Sequence, residues 1–349
     1  MNPRRYFILI LATTLSIVAG AYGLAWWLQP LYGDLTRVGG HAERDFGWNE
    51  PIQEFHPLLS TFGDWTHPVD VLVLGDSFAN LRPHQQWQNW LATRTGWRIH
   101  TLDKHLVDIS ELTASPLFKK YPPRVVIWNN IERDLKNEYS AQTEQCGKNA
   151  VVEVPPLKTH AADESALPQL ITRPQALSEL NPAFPRRWLL RAIEHSIGLE
   201  SSETLNAKLV RSDLFSNRFS SNLLLFRKDF ARASWEQKDL NRISCGYSEL
   251  AKKFESNGVT RFVTALAPDK SSAYRPWLVD TESIPASHLP TILDKHLVPD
   301  ARLDIALAKA IAAGTKDVYM PNDTHWGSAG HRLAAEAILT MLFAEGLVR

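Results

Sequence analysis

The residues best suited to covalent chemistry are a serine and, near the far end of the chain, an aspartate and a histidine. The serine stands in VLVLGDSFAN, Val71 to Asn80, where an apolar run leads straight into Gly75-Asp76-Ser77. The other two stand in YMPNDTHWGSAGHRLAAEAI, Tyr319 to Ile338, as Asp323 and His325. A serine hydroxyl is a weak nucleophile until an imidazole takes its proton, and the imidazole needs a carboxylate to fix its tautomer and stabilise its charged form. Ser77, His325 and Asp323 supply those groups. Each also has a plainer use: serine is a preferred helix cap, Gly-Asp-Ser is a natural turn, and Asp323 and His325 suit an ordinary polar loop. The other histidines, among them His84, His195 and His331, have no partner pattern and read as structural or surface groups.

What must position the three is an alternation of strands and helices. Val71 to Leu74 is a short, wholly apolar run bounded by a turn signal, the mark of a strand buried on both faces. Trp97 to Leu102, Arg124 to Trp128 and Arg261 to Leu266 are the next strand candidates, while Phe78 to Thr95, Leu240 to Phe254 and Ala329 to Phe343 read as helices. This order implies crossover connections and a mainly parallel sheet covered by helices, with Val71–Leu74, Arg124–Trp128 and Arg261–Leu266 as neighbours. A strand ending in Gly75 and a helix starting just after Ser77 leave the hydroxyl at the carboxyl edge of the sheet, with its N–H near a helix amino terminus. The loop ahead of Ala329 can bring Asp323 and His325 over the same edge. An acyl oxyanion there would be held by the Ser77 N–H and one side-chain donor, Asn129, Asn130 or Arg133. The plainer readings are that the asparagines end a strand, that Glu132 and Arg133 form an ion pair, and that Lys270 is a solvated turn residue.

The amino-terminal stretch places Arg4 and Arg5 before an uncharged run from Tyr6 to Leu28. At ~1.5 Å per residue that run matches the ~30 Å of hydrocarbon that a spanning helix must cross. Basic residues stay on the cytoplasmic side, so the rest of the chain is expected outside the cytoplasm, with Trp26 and Trp27 at the outer interface. Ala19-Gly20-Ala21 keeps a cleaved signal peptide as the competing reading. The expected domains are an anchor over residues 1–29 and one catalytic domain over residues 30–349. Residues up to Asp70 read as a linker, and about 137–235 as an insertion rich in Pro and small polar residues. Two cysteines, Cys146 and Cys245, suit an oxidising compartment; their spacing does not decide whether they pair, and it forms no zinc motif. With 38 basic and 38 acidic residues there is no global field to draw nucleic acid. The 12 tryptophans offer stacking faces for sugar rings only where exposed, since most large aromatics serve cores.

Taken together, Gly-Asp-Ser and the terminal Asp/His block resemble the SGNH (GDSL-like) hydrolases. Asp-Thr-His-Trp resembles the form found in the subgroup that O-acetylates bacterial exopolysaccharides, typified by the alginate acetylation proteins AlgJ and AlgX. RVVIWNNIERDL, Arg124 to Leu135, is similar to that subgroup's strand and following Glu-Arg pair, and LAPDKSSAYRP, Leu266 to Pro276, to its Pro-x-Lys segment. The similarity covers most of the chain after Asp70 apart from the insertion. In the alginate proteins the Asp-x-His block precedes the serine block; here Ser77 comes first, as in ordinary SGNH enzymes. The Gly of the second SGNH block and the Gly-x-Asn-Asp of the third have no recognisable counterpart. The resemblance implies a flavodoxin-like parallel sheet flanked by helices and a serine-dependent O-acyltransferase that works without a cofactor or metal. It implies a polysaccharide substrate, a membrane-bound O-acyltransferase partner acting as acetyl exporter, and a place on the periplasmic side of a bacterial inner membrane. Lys270, in the Pro-x-Lys segment, becomes a substrate-binding candidate. Two other functions stay open: an acetyl esterase using the same residues with water, and a catalytically idle sugar-binding component of a secretion complex.

Overall fold

The computed structural model describes residues 2–28, 32–147, 153–160, 167–172, 188–190, 193–194, 197, 199, 203–295 and 298–349. His195 lies outside the described residues, as does part of the helix expected around Arg187 to His195. In chain order the strands are β1 (Ile52–Glu54), β2 (Thr61–Phe62), β3 (Val71–Gly75), β4 (Ile99–Asp103), β5 (Val125–Ile131), β6 (Gln169–Ile171), β7 (Thr204–Lys208), β8 (Asn222–Phe226) and β9 (Arg261–Ala267).

Five of them form one parallel sheet in the order β2-β4-β3-β5-β9. The strands expected to be neighbours are neighbours, with Val71 opposite Val125 and Val125 opposite Arg261. They are mostly apolar because both faces are covered, with Asn129, Asn130 and Thr264 as buried polar exceptions. Val71, Val73, Ile127 and Val263 face one core with Leu91 and Ile338, while Leu72, Leu74, Val126 and Phe262 face the other with Ile243, Tyr247 and Phe254. The helix Gln237–Glu255 thus covers one side, and Trp87–Thr95 with Ser328–Ala344 the other. Chain order reverses direction between β3 and β5, the point where doubly wound sheets open a crevice at their carboxyl ends.

The single helix expected over Phe78 to Thr95 is three pieces: Ser77–Asn80, a 3-10 turn Pro83–Gln85, and Trp87–Thr95. The break falls at Arg82, whose φ of 56° lies in the left-handed region. Pro83 disfavours the right-handed helical conformation in the residue before it, so the helix cannot run through. The segment before Asp70, expected as a linker, is folded. It holds the short helices Asp34–Gly39 and Glu43–Phe46 as well as β1 and β2. Residues of the expected insertion pack back on it: β6 pairs antiparallel with β1, and Leu224 of the β7–β8 pair joins Leu35 and Phe46 in a small apolar cluster. Cys146 and Cys245 are bonded across a separation of 99 residues, fastening the start of that segment to the Gln237–Glu255 helix. The helix Pro3–Leu28 is long and apolar enough to cross a membrane, with mean hydropathy 2.0.

Candidate active site

At the end of β3 the chain turns at once into the helix Ser77–Asn80. Only glycine fits this corner, because a Cβ at Gly75 would stand 2.5 Å from that of Ala79. Asp76 is the helix cap: its carboxylate accepts the Phe78 N–H at 2.9 Å and the Ile131 N–H at 2.7 Å, tying the carboxyl ends of β3 and β5 together. Ser77 is therefore not the cap but the first helical residue. It is exposed, its hydroxyl is released from capping, and its N–H has no acceptor within the helix.

That hydroxyl meets His325. Ser77 Oγ lies 2.8 Å from His325 Nε2, and His325 Nδ1 lies 2.6 Å from Asp323 Oδ1, which also accepts the His325 N–H at 3.0 Å. The loop bearing both residues is closed by an antiparallel bridge between Tyr319 and Trp326 and by the Met320 N–H, which donates to His325 O at 3.0 Å. Beneath the imidazole lies an apolar floor. The Phe78 ring is 4.8 Å from that of His325 and packs edge-on to Trp326 at 5.0 Å. Residues far apart in sequence thus form one hydrogen-bonded chain that can pass a proton from a hydroxyl to an imidazole braced by a carboxylate.

Residues 224–347 match the family described as the SGNH hydrolase-like domain, acetyltransferase AlgX. That segment, a little over a third of the chain, is similar to the SGNH hydrolase-like family of the AlgX type. No curated protein and no solved structure is significantly similar to the chain. The match holds Asp323, His325 and Lys270 but not Ser77, which the fold brings to the AlgX-type segment from the other end of the chain.

Asp323 in the AlgX-type segment is 1% exposed, and its second oxygen is also occupied. Arg82 Nη2 donates to Oδ2 at 2.9 Å and the Asp34 N–H at 3.4 Å. Burial alone would raise this carboxyl, but the charges of His325 and Arg82 and the bonds from His325 outweigh it, holding the group well below the ordinary carboxylate range. Arg82→Gln should therefore lower kcat by roughly tenfold and leave KM nearly unchanged, since it loosens the orienting acid without touching the reacting face of Ser77. A selective rise in KM in steady-state assays would contradict this role.

Asp34 adds a second carboxylate. It accepts the Thr324 N–H at 2.9 Å and the Thr324 hydroxyl at 2.6 Å, and its Oδ2 is 3.9 Å from His325 Nδ1. Burial, and then the neighbouring Asp323 charge, raise it. Asp34, Asp323 and His325 are also the one grouping of three potential metal ligands among the described residues. Their donor atoms are already engaged by Thr324, Arg82 and one another, so the set fits a relay rather than a cation.

Lys270 departs from expectation. It is 1% exposed, and its ammonium donates to Met320 O at 2.8 Å, Pro321 O at 3.0 Å and Asp323 O at 3.1 Å. All its donors are thus committed to the loop that carries the triad, so it supports that loop and does not reach a substrate. Burial pushes it down to about 7.

The oxyanion candidates also separate. Asn130 is buried, donating to Glu138 at 2.6 Å and to the Tyr247 hydroxyl at 3.4 Å and accepting from Lys104 at 2.6 Å, so its amide is spent away from Ser77. Asn129 is buried and donates to Ala265 O at 2.7 Å, bracing β5 against β9. Arg133 keeps some solvent access. Its guanidinium lies 5.8 Å from the Phe78 ring, next to Ser77, while Nη1 donates to Asp269 at 3.0 Å. The Glu132–Arg133 pair does not form: Glu132 instead accepts from the Asp269 and His288 N–H groups and from the Ser272 and Ser287 hydroxyls. His84 lies stacked on His56 with a bond to Phe55 O, and His331 is buried against Trp326; neither joins the triad.

Beside Asp323, Asn322 Nδ2 donates to the buried Glu43 carboxylate at 2.8 Å. Arg82, Asp34, Asn322 and Glu43 were not legible as site residues. Arg82 precedes a proline and reads as a turn, and the two acids lie in a segment with no strand or helix period. Only Asn322, beside Asp323, carried a hint by position.

Proposed function

We propose that the chain is an extracytoplasmic O-acetyltransferase that carries an acetyl group through Ser77 onto hydroxyls of a bacterial exopolysaccharide or cell-wall glycan. The observation that supports this best is the unbroken hydrogen-bonded chain Ser77–His325–Asp323 in a chain whose AlgX-type segment bears the last two residues. In the first half-reaction Ser77 Oγ attacks the acetyl carbonyl while its proton passes to His325 Nε2. Negative charge develops on the carbonyl oxygen, where the Ser77 N–H at the helix start and Arg133 can oppose it. Collapse expels the donor's leaving group, which takes the proton from His325 and leaves an acetyl ester on Ser77. In the second half-reaction a sugar hydroxyl gives its proton to His325, attacks that ester, and departs acetylated with serine restored. Asp323 stabilises the imidazolium in both halves. With Arg4 and Arg5 inside, the domain stands in the periplasm, where a membrane-bound O-acyltransferase would export the acetyl group.

The test is to incubate the purified full chain in detergent with an aryl acetate, with and without oligosaccharides whose hydroxyls are free. Acetyl-Ser77 and acetylated sugar are the expected products. Acetate alone, unchanged by any sugar, would make the protein an esterase. Absence of any acetyl-Ser77 and any turnover would leave only a sugar-binding role.

A further inference from the structure

Asp34 is set in place from both sides. The Gly33 N–H donates to the buried Glu43 carboxylate at 2.9 Å, and the Leu35 and Thr36 N–H groups donate to Asn322 O at 3.1 and 3.4 Å. The backbone runs so close there that a Cβ on Gly33 would fall 1.9 Å from that oxygen. Held in this way, Asp34 meets the triad loop at two points. Its N–H donates to Asp323 Oδ2 at 3.4 Å, and its carboxylate takes both the N–H and the hydroxyl of Thr324, whose Oγ1 lies 3.4 Å from His325 Nδ1. Nδ1 thus has two carboxylates near it, Asp323 Oδ1 at 2.6 Å and Asp34 Oδ2 at 3.9 Å.

We propose that Asp34 is a second acid for His325, a positioning residue that holds Thr324 and adds its negative charge to that of Asp323 when the imidazole takes the serine proton. The placement rests on geometry alone, and its use in acyl transfer rests on the acyl-enzyme reading above. The case turns on a count of charges. Asp323 is shared: its Oδ2 accepts from Arg82 at 2.9 Å and its backbone carbonyl from Lys270 at 3.1 Å. One carboxylate already balanced by a guanidinium leaves no surplus negative charge for an imidazolium, and Asp34 supplies it. The remaining titratable groups around the ring do not. Arg133 is positive and lies 5.8 Å from the Phe78 ring that packs on His325, while His331, against Trp326, is kept neutral by burial, which pushes it down to about 3. A side chain 28% exposed beside a ring 12% exposed is only partly screened by water, so a charge at 3.9 Å is felt. A mere tether for Thr324 would need an acceptor oxygen and no charge.

Nuclear magnetic resonance of the full chain in detergent, made with isotope-labelled histidine, reads this at the ring itself, the His325 signal being assigned from His325→Ala. In Asp34→Asn the ring should lose its proton at a pH lower by about one unit than in the parent, since removing a nearby negative charge disfavours the imidazolium. Asp34→Ser, which keeps an acceptor for Thr324 but carries no charge, should do the same. Activity should follow the ring. With an aryl acetate, kcat should fall about tenfold at unchanged KM, and the acidic limb of kcat/KM against pH should move down with the titration. A ring that titrates at the parent's pH in both variants would overturn the second acid and leave Asp34 a tether, its loss showing only as a lower unfolding midpoint. Failure of a fluorophosphonate probe to label Ser77 in the parent would instead remove the acyl-enzyme reading, while the titration result would stand.

Discussion

Ser77→Ala should abolish acetyl turnover, by about 10³-fold or more, while the protein keeps its unfolding midpoint within a few degrees. The side chain is exposed and its helix is capped by Asp76, so little packing or capping is lost. His325→Ala should cost as much activity, and the double variant Ser77→Ala/His325→Ala scarcely more than either single one, because the two groups act as one unit. Asp323→Asn should lower activity by up to about 10⁴-fold through the wrong imidazole tautomer. Unlike Ser77→Ala it should also destabilise the fold, since it strips Arg82 of its buried partner. Mass spectrometry of the trapped acyl-enzyme and thermal unfolding of each variant measure both effects. Acetyl transfer at full rate by folded Ser77→Ala protein would exclude the covalent route.

Lys270→Met should be the most damaging change outside the triad. It removes the donors from three carbonyls that sit on one loop, and each buried acceptor left unpaired costs ~1–3 kcal/mol, offset in part by release of a buried charge. A net loss of about 2–4 kcal/mol is expected, together with a fall in kcat of ~10²-fold as Asp323 and His325 lose their register with Ser77. Stability should also respond to pH. The folded-state pKa of Lys270 is depressed to about 7 from 10.5, so between those values the unfolded chain holds a proton that the folded chain has released. Stability therefore rises with pH across that window and declines as pH falls through 7, while the neutral amine still offers two hydrogens to the three carbonyls. Denaturant midpoints measured from pH 7 to 10 should show this rise in the parent protein and a flatter course in Lys270→Met. An unchanged midpoint and kcat in the variant would show that the loop holds itself.

The sheet was readable because both-face burial leaves a simple mark. Val71–Leu74 and Val125–Trp128 are apolar without interruption, and Phe262–Leu266 is broken only by Thr264, which is buried with them. Ser77, Asp323 and His325 were readable because a nucleophile, a base and an acid are needed together, and few places in the sequence offer them beside a strand end. What escaped was support through backbone atoms. Lys270 bonds three carbonyl oxygens and Glu43 bonds N–H groups of Tyr32 and Gly33, and carbonyls and amides look alike in every residue. The break at Arg82 was missed for a related reason: apolar spacing suggested one helix, but the backbone rule set by Pro83 took precedence.

The hydrogen bond between Ser77 and His325 spans 248 positions, and its two halves enter the world in a fixed order. A ribosome completes the serine corner long before it reaches the histidine loop. Until that loop closes over the sheet, the serine has no base, and a chain stalled or clipped before Asp323 holds an inert hydroxyl rather than a stray esterase. The Ser77–His325–Asp323 constellation therefore comes into being only as the loop ahead of Ser328–Ala344 docks on the sheet, so any chemistry it performs doubles as a report that these two distant parts have folded together.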